Sequence, residues 1–377
     1  MNTEQFLFEH GLHPDLIDVD SQSDLMVKNM ISGLEGKRID MPMIPTYLGA
    51  TKPIADESSA IVIDAGGTNF RAGLATYGKG GIVITDVFKS KMPGTESPVT
   101  WDYFISFIAD NISHVIDKSD LIGFCFSYSA TITPEIDGIV QGIDKEVKIE
   151  NCEGKLIGKS LTDELAKRGK SGKKCVVIND TVAALLGNAA SQQKDKYSGF
   201  MGMICGTGIN TCAYYNDMLI NLESGFYTGM PRGDFDIQLD MQSAQPGEKL
   251  MEKMCSGAYI GQLAKLALNL EGNSDGATVD FLSREGNSFE KEVCLAIIKR
   301  SAKCMASNIL ALMKLTKSGL DKPYCICAEG SLIEKNQTFL PYLRQTLQEY
   351  SDKYKCEIVI GHETTLPGSA VAALNNN

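Results

Sequence analysis

Ala60-Ile-Val-Ile-Asp-Ala-Gly-Gly-Thr-Asn-Phe-Arg71 is the stretch from which the rest of the chain can be read. A compact apolar strand ends on a carboxylate, Asp64, and breaks into a turn carrying Gly66, Gly67, Thr68 and Asn69. The chain resumes as a second strand over Ala72–Tyr77 and a third over Ile82–Phe88, so the segment predicts a β-hairpin with a Gly-rich turn. Successive glycines let backbone N–H groups come close to a phosphate, and a Thr hydroxyl adds one more donor. Ordinary hairpins also use glycine, so one such turn says little by itself. A second one follows about 140 residues later, where the strand ending at Cys205 turns through Gly206-Thr207-Gly208-Ile209-Asn210 into Thr211–Tyr215. Two strand, Gly/Thr turn, strand units in one chain predict two related β-sheet domains.

Between them runs Val176-Val-Ile-Asn-Asp-Thr-Val-Ala-Ala-Leu-Leu186, a buried-type strand that leads through Asn179-Asp180-Thr181 into a helix. Asp180 or Thr181 could serve only as the helix N-cap. Three adjacent polar residues at the carboxyl end of a strand also stand where open α/β sheets place ligands. Helical spacing appears over Trp101–Ile116, Leu161–Arg168, Glu248–Leu270 and Phe289–Lys317, and strands over Leu121–Tyr128, Tyr324–Ala328 and Cys356–Ile360. An amphipathic stretch covers Leu25–Leu34, and Pro42 and Pro45 predict an extended connector over Met41–Leu48. Gly154-Lys-Leu-Ile-Gly158-Lys159-Ser160 imitates a P-loop, but three residues separate its glycines where that motif needs four, and no apolar strand precedes it. Ser160-Leu-Thr-Asp163 fits a capping box that opens the helix at Leu161. Glu223, in a turn after a strand, and Glu252, in a helical stretch, each read singly as surface charges.

The 377 residues carry 36 Lys+Arg against 47 Asp+Glu, a net charge of −11 that repels nucleic acid and anionic membranes. Any anionic ligand must then be held by local donors. Apolar residues at 43% and charged residues at 22% are ordinary for a globular protein and exclude disorder, collagen and coiled coil. No apolar run approaches the roughly 18 residues of a membrane span, and the first 30 residues show no signal-peptide pattern. Eleven cysteines without a C-x-x-C pair read as reduced core thiols of a soluble, cytoplasmic protein. Four histidines, two of them His10 and His13 near the start, make no zinc-ligand spacing.

Taken in order, these motifs resemble the hexokinase family from Met41 to Ala373. Met43-Ile-Pro-Thr-Tyr-Leu48 looks like its connecting segment, Asp64–Arg71 its first phosphate motif, and Ile178–Ala183 its catalytic segment. Gly206–Asn210 resembles its second phosphate motif, Glu329-Gly330-Ser331 its adenosine-site turn, and Gly368–Ala373 its last small-domain helix. The resemblance implies an α/β fold: a two-domain actin-like ATPase, a duplicated ribonuclease H-like fold with a ligand cleft between a small and a large domain. The small domain would comprise residues 60–179 and 367–377, the large one residues 1–59 and 180–366. It also implies transfer of the γ-phosphate of ATP, with Mg²⁺, to the 6-hydroxyl of a hexose, with glucose as first choice. Domain closure on the sugar would exclude water.

By the same resemblance Asp180 is the general base, and Lys145 contacts both sugar and γ-phosphate. Ser127, Asp144, Lys145, Asn179, Asp180, Asn210, Glu223 and Glu252 would bind the sugar. Asp64, Gly66, Gly67, Thr68, Asn69, Arg71, Gly206, Thr207, Gly208, Gly330 and Ser331 would hold the nucleotide, with Asp64 and Asp180 near the metal. Three departures lie near the sugar: Ser129 for the family Pro, Asp144 for Thr, and Ser224 for an aromatic. They leave room for a kinase of mannose, fructose or an amino sugar, and for a non-catalytic sugar sensor. Joint retention of Asp64, Lys145, Asp180 and Thr207 weighs against the sensor. The oligomeric state, monomer or homodimer, is not legible.

Overall fold

The computed structural model describes residues 2–37, 40–143 and 147–376; Asp144 and Lys145 therefore lie outside the described residues. The chain divides into two compact units, residues 44–192, 214–221 and 361–377 in one, and residues 1–43, 193–213 and 222–360 in the other. This division places residues 44–59 and 180–192 with the first Gly-rich hairpin, whereas the resemblance had put them in the other domain. The physical reason is packing of the helix Asp180–Ala190 on the helix Thr365–Asn375. A Cβ on Gly368 would stand 1.8 Å from the Ala183 carbonyl oxygen, and one on Gly187 2.2 Å from that of Thr364.

The unit that contains the first hairpin is built on a five-stranded sheet in the order Lys174–Ile178, Leu121–Phe126, Ser59–Gly66, Asn69–Gly78, Gly81–Lys91. The first three strands are parallel and the last two return as antiparallel hairpins. Alternation along Ser59–Gly66 sends Ile61, Ile63 and Ala65 to one face, where they bury against Trp101, Phe104, Ile108 and Leu161. Val62 faces the other way, against Leu366 and Ala370 of the C-terminal helix. A parallel sheet covered on both faces explains why these strands read as continuous apolar runs. A second sheet orders the strands Ile209–Tyr215, Gly199–Cys205, Tyr324–Glu329 and Cys356–Ile360, all of whose residues except Tyr214 and Tyr215 belong to the other unit. The 29-residue helix Ser288–Thr316 supplies much of that unit's core.

Two helices differ from expectation. The helix expected at Leu161 begins at Ile157, because the carboxylate of Asp137 accepts the Gly158 and Lys159 amides at 2.6 and 2.8 Å. Ser160 is thus inside the helix, its hydroxyl accepting from the Trp101 indole at 3.3 Å, and the P-loop look-alike is a helix start already filled by an internal anion. The helix expected over Glu248–Leu270 is two, Leu250–Cys255 and Gly257–Leu268, broken at an extended Ser256. The break lets the Gly257 amide reach the Gly206 carbonyl at 2.7 Å. No disulfide joins the cysteines, which are buried apart from the partly covered Cys175 and Cys356. Among the described residues no helix is long and apolar enough to cross a membrane.

Candidate functional site

In the unit of the first hairpin, strand register brings the candidate residues together. Within the sheet, Cys125 pairs with Asp64 on one side and with Ile178 on the other. The three strands are parallel, so Asp64-Ala-Gly66, Ser127 and Asn179-Asp180 leave the sheet at one edge, the edge at which open α/β sheets bind ligands. Burial, together with the Asp64 and Asp180 carboxylates alongside, pushes the Cys125 thiol well above its ordinary range, so it stays protonated. Asp64 is 6% exposed. Its Oδ2 accepts from Arg71 Nη2 at 2.6 Å, Arg71 Nε at 3.2 Å and the Thr365 hydroxyl at 2.9 Å. Arg71 also donates to Glu363 at 3.0 Å. Burial opposes the charge on Arg71, but Asp64 and then Glu363 more than restore it, so the guanidinium stays charged.

Asn179 is the N-cap of the helix Asp180–Ala190, its Oδ1 accepting the Thr181 amide at 2.9 Å. Asp180 opens the helix, and its Oδ1 accepts the same amide at 2.7 Å and the Thr181 hydroxyl at 3.3 Å. Capping therefore falls to Asn179, and neither alternative cap, Asp180 or Thr181, holds that position. The turn itself needs glycine at Gly67, where φ is +54°, while Thr68 is half-buried and Asn69 exposed at the tip.

In the other unit the second turn gathers a different set. Glu252 Oε2 accepts the Ile209 amide at 3.0 Å, and Asn210 donates to Glu223 Oε1 at 3.3 Å. Glu223 sits in the left-handed region at φ +54°, which orients it out of the strand that precedes it. The two carboxylates that read singly as surface charges thus converge on Ile209-Asn210. Glu329-Gly330-Ser331 lies against the turn: a Cβ on Gly206 would stand 3.2 Å from the Ser331 nitrogen. Thr207 is exposed at the tip of that turn, and Gly208 lies beside Glu252.

Several residues of this arrangement were missed in the sequence. Thr365 and Glu363 hold Arg71 and Asp64 from nearly 300 positions away, and only the Thr364-Thr365 pair at a helix start hinted at them. Tyr128, the neighbour of Ser127, donates its hydroxyl to the Gly67 carbonyl at 2.6 Å. Of the histidines, His10 Nδ1 lies 2.7 Å from Asp234 and His13 accepts the Asp15 amide. Among the described residues no group of three or more His, Cys, Asp or Glu is placed to hold a metal. Mg²⁺ bound through phosphates needs only one or two carboxylates, and the carboxylates at this sheet edge are those of Asp64 and Asp180.

Two family models, each described as hexokinase, match residues 8–190 and residues 200–279 and 277–375. The chain belongs to the hexokinase family and has its two-domain actin-like ATPase fold. Hexokinase-1 of Saccharomyces cerevisiae is 31% identical over 299 residues, which cover 70% of this chain and 61% of that protein. The Hexokinase-like 1 protein of Arabidopsis thaliana is 26% identical over 411 residues, 89% of this chain and 83% of that one. This chain thus spans about three fifths of the length of the yeast relative. A hexokinase from Schistosoma mansoni complexed with glucose superposes with a TM-score of 0.78 at 18% identity, over 99% of this chain and all of that one. Another hexokinase structure gives 0.84 at 20% identity, over 99% of both chains.

Proposed function

We propose that the protein is an ATP-dependent hexose kinase that transfers the γ-phosphate of ATP to the 6-hydroxyl of a hexose, with glucose the first candidate. The observation that carries this reading is the meeting of Asp64, Ser127, Asn179 and Asp180 at the carboxyl edge of three adjacent parallel strands. Glucose is the sugar bound in the Schistosoma mansoni structure. Asp180 would accept the proton of the attacking hydroxyl as its oxygen bonds to phosphorus and the bond from phosphorus to ADP breaks. A positioned base contributes roughly 10²–10⁴ in rate, and the rest is orientation and charge stabilisation.

In the unit of the first hairpin, Ser127 and Asn179 would bind sugar hydroxyls, as would Asp144 and Lys145, the latter assisting transfer, and the Gly66–Asn69 turn would take phosphate. In the other unit, Asn210, Glu223 and Glu252 are suited to sugar hydroxyls, and the Gly206–Gly208 turn, with Gly330 and Ser331, to the nucleotide. Mg²⁺, held on the phosphates by Asp64 and Asp180, would supply charge neutralisation. Arg71 is kept charged and pointed beside the first turn by Asp64, Thr365 and Glu363. A cytoplasmic location goes with this activity.

ATP consumption with Mg²⁺, measured across glucose, mannose, fructose, N-acetylglucosamine and a no-sugar control, tests the reading. Turnover with a hexose and silence without sugar is the expected result. Silence with every sugar, accompanied by thermal stabilisation by one of them, would replace the kinase with a sugar sensor. One observation favours keeping hexoses other than glucose in the panel. Ser224, where the family carries an aromatic, is fully buried and its hydroxyl has no partner among the described residues.

A further inference from the structure

The first turn is two residues long: Gly66 pairs with Asn69 across it, so the Gly67–Thr68 peptide is its central unit. The orientation of that central peptide distinguishes the type I′ from the type II′ form of a hairpin turn. Gly67 has φ +54° and Thr68 a negative φ, which is the type II′ form, and reversal would force the β-branched Thr68 into the left-handed region. Another strand adds a second restraint. Tyr128 donates its hydroxyl to the Gly67 carbonyl at 2.6 Å, and its ring is fixed, 5% exposed and edge-on to Phe126 at 5.1 Å. The peptide is planar and trans, so a carbonyl held on Tyr128 aims the Thr68 N–H to the opposite side. With the peptide reversed, a carbonyl oxygen would replace that N–H and repel an incoming phosphate.

We infer that Tyr128 is a positioning residue for nucleotide binding: its hydroxyl locks the Gly67–Thr68 peptide with its amide outward. The inference rests on the kinase reading above and adds a residue to it. Tyr128 itself need touch neither sugar nor phosphate. It acts on one peptide, so its removal acts on the nucleotide rather than on the hexose.

Tyr128→Phe keeps the ring against Phe126 and removes only the hydroxyl. Loss of one hydrogen bond of this kind corresponds to a change of about three- to tenfold. The expected result is a rise of that size in KM for ATP, with KM for the hexose within about twofold of wild type and a thermal midpoint lowered by no more than a few degrees. Calorimetric titration with Mg²⁺ and ATP in the absence of sugar reads the same loss without any turnover. It therefore still answers if the wild-type protein phosphorylates none of the hexoses. Unchanged ATP affinity would overturn the inference. So would a parallel loss of ATP and sugar affinity accompanied by a large fall in the thermal midpoint, which would make Tyr128 a packing residue only.

Discussion

The two Gly/Thr turns look alike in sequence but differ at one glycine: Gly66, like Gly206 and Gly208, makes room, a Cβ on Gly66 standing 3.0 Å from Ser127 Oγ, whereas Gly67 does not. In the first turn, Gly67 is there for its backbone: φ is +54° and the space a side chain would fill is open. In the second, neither Gly206 nor Gly208 has a positive φ, and both are there for room. A Cβ on Gly206 would press on Gly330-Ser331, and one on Gly208 would come 2.8 Å from Glu252 Oε2. The bonds that steady the turns also differ. Tyr128 donates a side-chain hydroxyl to the Gly67 carbonyl of the first; in the second, backbone amides of Gly257 and Ala258 donate to the Gly206 and Thr207 carbonyls and Glu252 accepts the Ile209 amide. The first turn is held by one side chain from another strand, the second is a joint between a turn, a helix start and a carboxylate. A shared Gly-Thr signature therefore does not imply a shared mechanical role.

The sharpest test of this asymmetry concerns Asp180, the proposed base, which belongs to the unit of the first turn. Asp180→Ala should lower kcat by at least ~10² while sugar binding, read by thermal shift, weakens but persists. A variant that keeps more than about a tenth of wild-type kcat would remove Asp180 from the base role. Next in size is Gly330→Ala. Gly330 has φ +117°, and its Cβ would stand 2.5 Å from the Cys205 carbonyl oxygen and 2.9 Å from the Gly206 nitrogen, all backbone that cannot move aside. A cost of about 3 kcal/mol and a thermal midpoint lower by roughly 5–10 °C are expected. A near-neutral result would show that the second turn has slack, contrary to its reading as a close-packed joint.

Gly208→Ala sharpens the same point at lower cost. The new methyl meets the far end of the Glu252 side chain rather than backbone, so Glu252 swings off the Ile209 amide and the fold persists. Loss of a hydrogen bond to a charged group should raise KM for the hexose about tenfold and change KM for ATP less. The reverse split would place Glu252 with the nucleotide.

Much of this was legible in the chain. Strand, turn, strand patterning located both hairpins because a parallel core strand and its break at glycine leave local traces. The polar triplet at Asn179–Thr181 was visible because polar residues are costly inside such a sheet. What the sequence could not carry was partnership at long range. Arg71 faces Asp64 across one hairpin, which register alone suggests, but Thr365 reaches the same carboxylate from the last helix. Asp137 takes the start of the Ile157 helix from 21 positions upstream of Gly158, so a local capping box at Ser160 was the wrong inference even though its pattern was sound. Glu223 and Glu252 read as surface charges because their convergence on Ile209-Asn210 depends on a left-handed residue and a helix break, neither of which has a strong residue signature.

The smallest expected effect is the one that isolates conformation from packing. Gly67→Ala adds a methyl into open space, so no clash contributes, and the whole cost is that of holding an L-residue at φ +54°. That is about 1 kcal/mol, or a fall of roughly 2–4 °C in the thermal midpoint. Asn is larger than Ala but meets the same open space, so Gly67→Asn should cost no more than Gly67→Ala. Equal cost from side chains of different size is the signature of backbone control. If Asn instead proved worse than Ala, space would be limiting at Gly67 as well, and the contrast between the two hairpins would reduce to a difference in degree.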